Sequence, residues 1–196
     1  MVSSPPVYVP ETLKVTDEQF LAFVMANPNL CLERTAAGEL IVMPPTGSES
    51  GNYNFELNTD LGIWNRQARL GKAFDSSTGF RLPNGATRAP DGAWVTNERW
   101  NALTPQQRKG FAPICPDFVL ELASETDSLD ILRQKMQEYI ENGCRLGWLI
   151  IPKLKQVEIY RLGQVPEVLQ SPDTLSGESV LPGFILPLQT IFQIGL

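Results

Sequence analysis

Pro116-Asp117-Phe118-Val119-Leu120-Glu121-Leu122-Ala123 reads as a strand with an acid set into it. Alternation sends Phe118, Leu120 and Leu122 to one face and Val119, Glu121 and Ala123 to the other. A carboxylate among residues that otherwise want burial is costly unless something pairs with it. A second short strand, Ala89-Pro90-Asp91-Gly92-Ala93-Trp94-Val95, does the same with Asp91, and a helical segment, Asp130-Ile131-Leu132-Arg133-Gln134-Lys135, follows the first. Two such acids and one nearby amine suggest a site for a hard metal ion and phosphate chemistry.

The rest of the chain arranges itself around these strands. Thr16-Asp17-Glu18-Gln19 predicts a capping box and a helix running to about Asn27-Pro28. Leu30–Arg34 and Glu39–Met43 flank Ala36-Ala37-Gly38 as a hairpin. Tyr53, Leu57, Leu61, Trp64 and Ala68 recur at helical spacing, with Gly71 as the expected stop. Three strands follow, Ala73–Phe80, Asp91–Val95 and Asp117–Ala123, with a short helical excursion around Pro105–Lys109. Thr126-Asp127-Ser128 is expected to cap a helix with the stripe Leu129, Leu132, Met136, Tyr139 and Ile140, closed by Asn142-Gly143. Leu146–Ile151 has buried-strand length, and Val157–Arg161 with Val165–Leu169 forms a second hairpin. The order predicts an α/β (α+β) fold, a mixed sheet flanked by helices in the order αβββαβ with a hairpin added at each end.

Composition narrows the chemistry. The 196 residues are 42% hydrophobic and 19% charged, the profile of an ordinary globular chain with a substantial core. No apolar run is long enough to span a bilayer, and Met1-Val2-Ser3-Ser4-Pro5-Pro6 lacks the pattern of a signal peptide, so a cytoplasmic location is expected. Histidine is absent. That excludes Ser-His-Asp and Cys-His catalysis, His-ligated zinc and any His general base. Cys31, Cys115 and Cys144 form no C-x-x-C pair and are expected to be buried, reduced residues. No phosphate-cradling glycine motif is present, which argues against a nucleotide cofactor.

The formal net charge of −6 argues against high-affinity, nonspecific nucleic-acid binding. The charge is uneven, however: residues 61–110 hold eight basic side chains against three acidic ones. This segment is either chance scatter or a basic face for DNA beside an acidic metal site. Asp91 and Glu121 can meet only if their strands are neighbours.

These elements resemble the PD-(D/E)XK nuclease superfamily. Pro90-Asp91 stands as its PD element, and Glu121-Leu122-Ala123 occupies the E-x-K element with alanine at the lysine position. More closely, the chain is similar over nearly its whole length to a large bacterial family of restriction-endonuclease-like proteins. The similarity rests on Gly38–Pro45, Ser48-Glu49-Ser50-Gly51-Asn52, Ala89-Pro90-Asp91, Cys115–Leu122 and Lys135-Met136-Gln137-Glu138-Tyr139. The resemblance implies one nuclease domain over residues 1–196, with a core at about 48–152. It implies Mg²⁺ or Mn²⁺ as cofactor, Asp91, Glu121 and Glu49 as acids that hold it, and a lysine moved to the following helix, Lys135. Helix geometry at ~100° per residue puts Lys135 beside Tyr139 on one flank of the apolar stripe and Arg133 on the other. It does not choose among Glu49, Glu56 and Asp60 for the third acid.

The function expected is a metal-dependent endonuclease acting on DNA. A catalytically inactive binding or assembly module of the same fold is the alternative, and a carboxylate-pair glycosidase is the weakest. Asp91, between proline and glycine, also fits a turn, and Glu121 also fits a buried structural ion pair. A homodimer is expected, with the terminal hairpins and the apolar segment Val180–Phe192 as surfaces for pairing.

Overall fold

Residues 13–43 and 45–192 are described by the structure, a computed structural model. The chain begins with α1 (Asp17–Ala26), β1 (Cys31–Arg34), β2 (Leu40–Met43), α2 (Ser48–Ala68) and β3 (Gly71–Asp75). It continues through β4 (Phe80–Arg81), β5 (Thr87–Arg88), β6 (Gly92–Thr96), α3 (Asn97–Ala102), α4 (Pro105–Lys109), β7 (Phe118–Leu122) and α5 (Leu129–Glu141). The last part holds β8 (Leu146–Ile151), β9 (Gln156–Arg161), β10 (Glu167–Gln170), β11 (Thr174–Ser176), β12 (Ile185–Pro187) and α6 (Gln189–Phe192).

Six strands form a mixed sheet in the order β10-β9-β8-β7-β6-β3. Only β7 and β8 pair in parallel, with Phe118 opposite Leu146 and Leu122 opposite Ile150. A parallel pair needs a crossover, and α5 supplies it. The alternation of β7 sorts the core. Phe118, Leu120 and Leu122 pack with Trp148 and with Leu57 and Leu61 of α2. Val119 and Ala123 pack with Met136 and Tyr139 of α5. Each helix thus buries its apolar stripe on one face of the sheet, and Glu121 shares the α5 face.

A second sheet has the order β2-β1-β5-β4. Its hairpin closes with Val15 and Phe20 over a small core that includes Leu32 and Leu40. Arg34 of β1 pairs with Thr87 of β5, and β5 leads directly into Ala89-Pro90-Asp91. This junction brings the N-terminal hairpin to the start of β6.

Several expectations need correction. The strand expected over Ala73–Phe80 is broken: β3 stops at Asp75, whose carboxylate accepts from the Ser77 N–H at 3.1 Å and turns the chain. Phe80 then joins the other sheet. Gly71 does not end α2. Arg69 does, in the left-handed conformation at φ 57°, and Gly71 opens β3. A Cβ at Gly71 would come within 2.2 Å of the Val95 carbonyl and 2.4 Å of the Trp94 ring, so packing requires the glycine. Ser128 stands at the N-cap of α5 without a side-chain cap bond; Asp127 instead accepts from the Ser124 N–H.

Cys31 is exposed, whereas Cys115 and Cys144 are buried. In the Val180–Phe192 segment, Val180, Leu181, Phe184, Leu186, Leu188, Ile191 and Phe192 are buried against the α2 side of the sheet, while Ile185 is exposed. No described helix is long and apolar enough to cross a membrane.

Candidate active site

The β6–β7 register sets Gly92 opposite Leu120 and Ala93 opposite Val119. Continued by one residue, that register sets Asp91, just before β6, level with Glu121. Asp91 is pinned there by β7 and α2: its Oδ2 accepts from the Leu122 N–H at 2.8 Å, and its Oδ1 accepts from Asn54 Nδ2 of α2 at 3.0 Å. Asn58, one turn along α2, donates to the Asp91 carbonyl at 2.8 Å. Gly92 eases that approach, since a Cβ there would stand 3.1 Å from Asn58 Oδ1.

Lys135 reaches the same place from α5. Its Nζ lies 2.8 Å from Glu121 Oε1, and Tyr139, one turn further, donates its hydroxyl to that oxygen at 3.1 Å. Oε2 enters neither bond. The amine is buried and also meets Glu33 Oε1 of β1 at 2.9 Å and the Ala89 carbonyl at 3.3 Å. Glu33 is a component that the sequence reading missed. It accepts from the Ala89 N–H at 2.8 Å and from Arg88 at 3.0 Å, and Arg88 also binds Glu138 of α5. One hairpin acid thus ties the lysine, the Asp91 strand and α5 together.

The electrostatics follow from burial and partners. Burial pushes the Glu121 carboxyl up to about 8; Lys135 opposes this, while the charges of Asp91 and Glu33 add to it. Burial also raises Asp91, against the Leu122 N–H, Lys135 and Asn54. Burial works against the charged form of Lys135, but Glu121 and Glu33 outweigh it and hold the amine protonated. At Glu33, Lys135, Arg88 and the Ala89 N–H outweigh burial and keep the carboxyl below the ordinary range. Near neutral pH, the amine therefore has an ionised partner in Glu33 and, in Glu121, a partner whose carboxyl burial makes a much weaker acid than usual.

The Glu33 shift has a measurable consequence. A carboxylate held below its unfolded value contributes stability that is complete above an unfolded pKa of about 4.3 and is lost as pH falls through the folded value. Thermal melts between pH 7 and pH 3 should show a shallower acid-side loss in Glu33→Gln than in wild type. Equal slopes would remove Glu33 from the acid transition.

The other residues expected at the site divide clearly. Arg133 binds Glu158 of β9 at 2.7 Å, not Glu121. Glu49 lies on the exposed first turn of α2, where its carboxylate accepts from Tyr53 at 3.2 Å. Glu56 is exposed, and Asp60 is raised by burial and by the neighbouring Glu56 charge. The α2 side chain on Asp91 is Asn54. Asp117, the other acid of the β7 stretch, is buried on the Thr96 N–H at 2.9 Å and on Arg99 at 3.0 Å, a structural pair at the opposite end of β7. In the basic segment 61–110, Arg81, Arg88 and Arg99 are paired with Asp17, Glu33 with Glu138, and Asp117 respectively.

Among the described residues, no group of three or more His, Cys, Asp or Glu side chains is arranged to hold a metal ion. Magnesium asks for less: it retains several waters and takes one or two carboxylates. One observation fits this requirement. Asn54 Oδ1 is buried without a hydrogen-bond partner, on the amide whose nitrogen is fixed to Asp91. An orphaned carbonyl oxygen beside a carboxylate is a donor of the type a hard cation takes.

A solved structure described as a "putative nuclease belonging to DUF820" from Anabaena variabilis is similar, with a TM-score of 0.70 and 21% identity over 83% of this chain and 89% of that one. At that identity it shows the fold. No curated protein matches the chain. A family model described as "Uma2: Putative restriction endonuclease" matches residues 17–189, which span α1 to α6 and every residue of the site. By that match, the chain belongs to the Uma2 family of restriction-endonuclease-like proteins.

Proposed function

We propose that the protein is a metal-dependent endonuclease that hydrolyses DNA phosphodiester bonds at Asp91, Glu121 and Lys135. The contact between Lys135 and Glu121 at 2.8 Å, beside Asp91, carries this reading. It supplies from α5 the amine that Ala123 does not supply from the strand. Asp91 and Glu121 would hold Mg²⁺ or Mn²⁺ with the Asn54 carbonyl, which takes on α2 the place that the resemblance gives to Glu49. The bound cation would polarise a phosphoryl oxygen and acidify a water.

The chain's own groups do the rest. Lys135, kept protonated by Glu33, presents positive charge where negative charge develops on phosphate. Tyr139 holds the Glu121 carboxyl in place, and the Leu122 N–H fixes Asp91 across the β6–β7 pair. A two-fold pair of chains would place one site on each strand of a duplex, and the exposed residues of the terminal hairpins and of the 180–192 segment, Ile185 among them, are the surface this reading gives to the contact.

The alternative, a catalytically inactive binding module, draws on Ala123 alone. The two readings separate in a plasmid-nicking assay: supercoiled DNA should be nicked with Mg²⁺ or Mn²⁺ and left intact with a chelator. DNA left intact under both conditions would favour the inactive module.

A further inference from the structure

A groove of about 490 Å³ runs along α2, with Asn54, Phe55, Asn58, Gly62, Ile63 and Arg66 in its lining, and it shares Asn54 and Asn58 with the site. We propose that it seats an unpaired stretch of nucleic-acid strand leading away from Asp91, with bases against Phe55 and Ile63 and a phosphate on Arg66. This rests on the nuclease reading and names the form of its substrate.

Continuity comes first. Asn54 and Asn58 line the groove and are also the side chains bound to Asp91. A strand lying in the groove is therefore one side chain away from Asp91. From Asn54 to Arg66 the helix advances about 18 Å, room for several nucleotides.

The chemistry of the lining suits bases better than a duplex backbone. Phe55 is 67% exposed and Ile63 47% exposed, and the two line the groove together as an apolar patch. An exposed aromatic in a groove is a stacking platform that accepts any base. Arg66 is the cation of the lining, and Asp75, also there, has its carboxylate turned onto Ser77 and Thr78.

Duplex binding depends on neutralising many phosphates. A chain of net charge −6 that has committed three bases of its basic segment to ion pairs is poorly equipped for that. Glycine in a helix is a liability, yet a Cβ at Gly51 or Gly62 would meet nothing within 4 Å. Packing does not require these glycines, and both line the groove.

Fluorescence anisotropy in chelator, where no cleavage intervenes, tests the proposal. The probes are a labelled oligothymidylate of about a dozen nucleotides and a duplex of the same length. Wild type should bind the single strand more tightly. Phe55→Ala should weaken that binding about tenfold, and Arg66→Gln should lower its salt slope by about 0.7. Gly62→Trp, which fills open space, should abolish binding while leaving the melting temperature in place.

Single-strand binding unchanged in both Phe55→Ala and Gly62→Trp would overturn the groove, as would a preference for duplex. If wild type still nicks plasmid in those cases, the nuclease reading survives alone. If wild type neither binds the probes nor nicks plasmid, both readings fall. Self-association that Phe55→Ala abolishes would assign the groove to a second copy of the chain and overturn the proposal.

Discussion

Lys135→Met should cut turnover by about 10²–10³-fold, the usual cost of losing one positioned donor to a developing oxyanion. Its effect on cation affinity should be much smaller, because the amine acts on phosphate and not on the ion. Stability should fall as well. The substitution leaves Glu33 with Arg88 and the Ala89 N–H but without its lysine, and breaking a buried ion pair costs about 3–5 kcal/mol. The retained partners place the expected loss near the lower end, about 3 kcal/mol. The double variant Lys135→Met with Glu33→Gln should recover part of that stability and none of the turnover. Urea denaturation beside single-turnover kinetics would check both. A double variant that regains activity would show that the amine serves only to neutralise Glu33.

Glu121→Gln and Asp91→Asn should each reduce turnover by about 10³-fold or more, since a lost ligand removes the several kcal/mol that a cation contributes. Their effects on the metal-free protein should differ. Burial pushes the Glu121 carboxyl up to about 8, so its charge is costly in the metal-free protein. Glutamine there keeps a neutral acceptor for Lys135 and Tyr139, so the melting temperature should hardly move. Asp91 accepts two N–H bonds, one on each oxygen. Asparagine sets an N–H against one of those donors, with an expected loss of about 1–3 kcal/mol. Equal destabilisation by the two substitutions would mean that Glu121 is ionised in the folded protein.

The β7 strand and α5 were legible because their signals are local. Alternation in Phe118–Ala123 and the helical stripe through Met136 and Tyr139 set α5 on the Glu121 face, while the choice of Lys135 over Arg133 came from the family resemblance. Glu33 was not legible. In a four-residue hairpin strand it looks like any surface acid, and its meeting with Lys135 depends on the β1–β5 junction made far along the chain.

The two-residue strands β4 and β5 that make this junction are too short for any periodicity to register. Asn54 was missed for a different reason: an asparagine on a helix resembles polar surface, and only its orphaned Oδ1 marks it. The break after β3 did leave a trace. Asp75-Ser76-Ser77-Thr78-Gly79 is turn chemistry, and Phe80 beyond it invited the longer strand.

Titration calorimetry of Mn²⁺ into the wild-type protein and into Glu121→Gln tests most directly whether Asp91 and Glu121 hold a cation. Wild type should bind with heat that saturates and with protons released, because the Glu121 carboxyl must ionise to take the ion. Glu121→Gln, folded and equally stable, should bind at least about tenfold more weakly. Wild type that takes up no Mn²⁺, or a Glu121→Gln variant that binds it with unchanged affinity, would contradict the assignment.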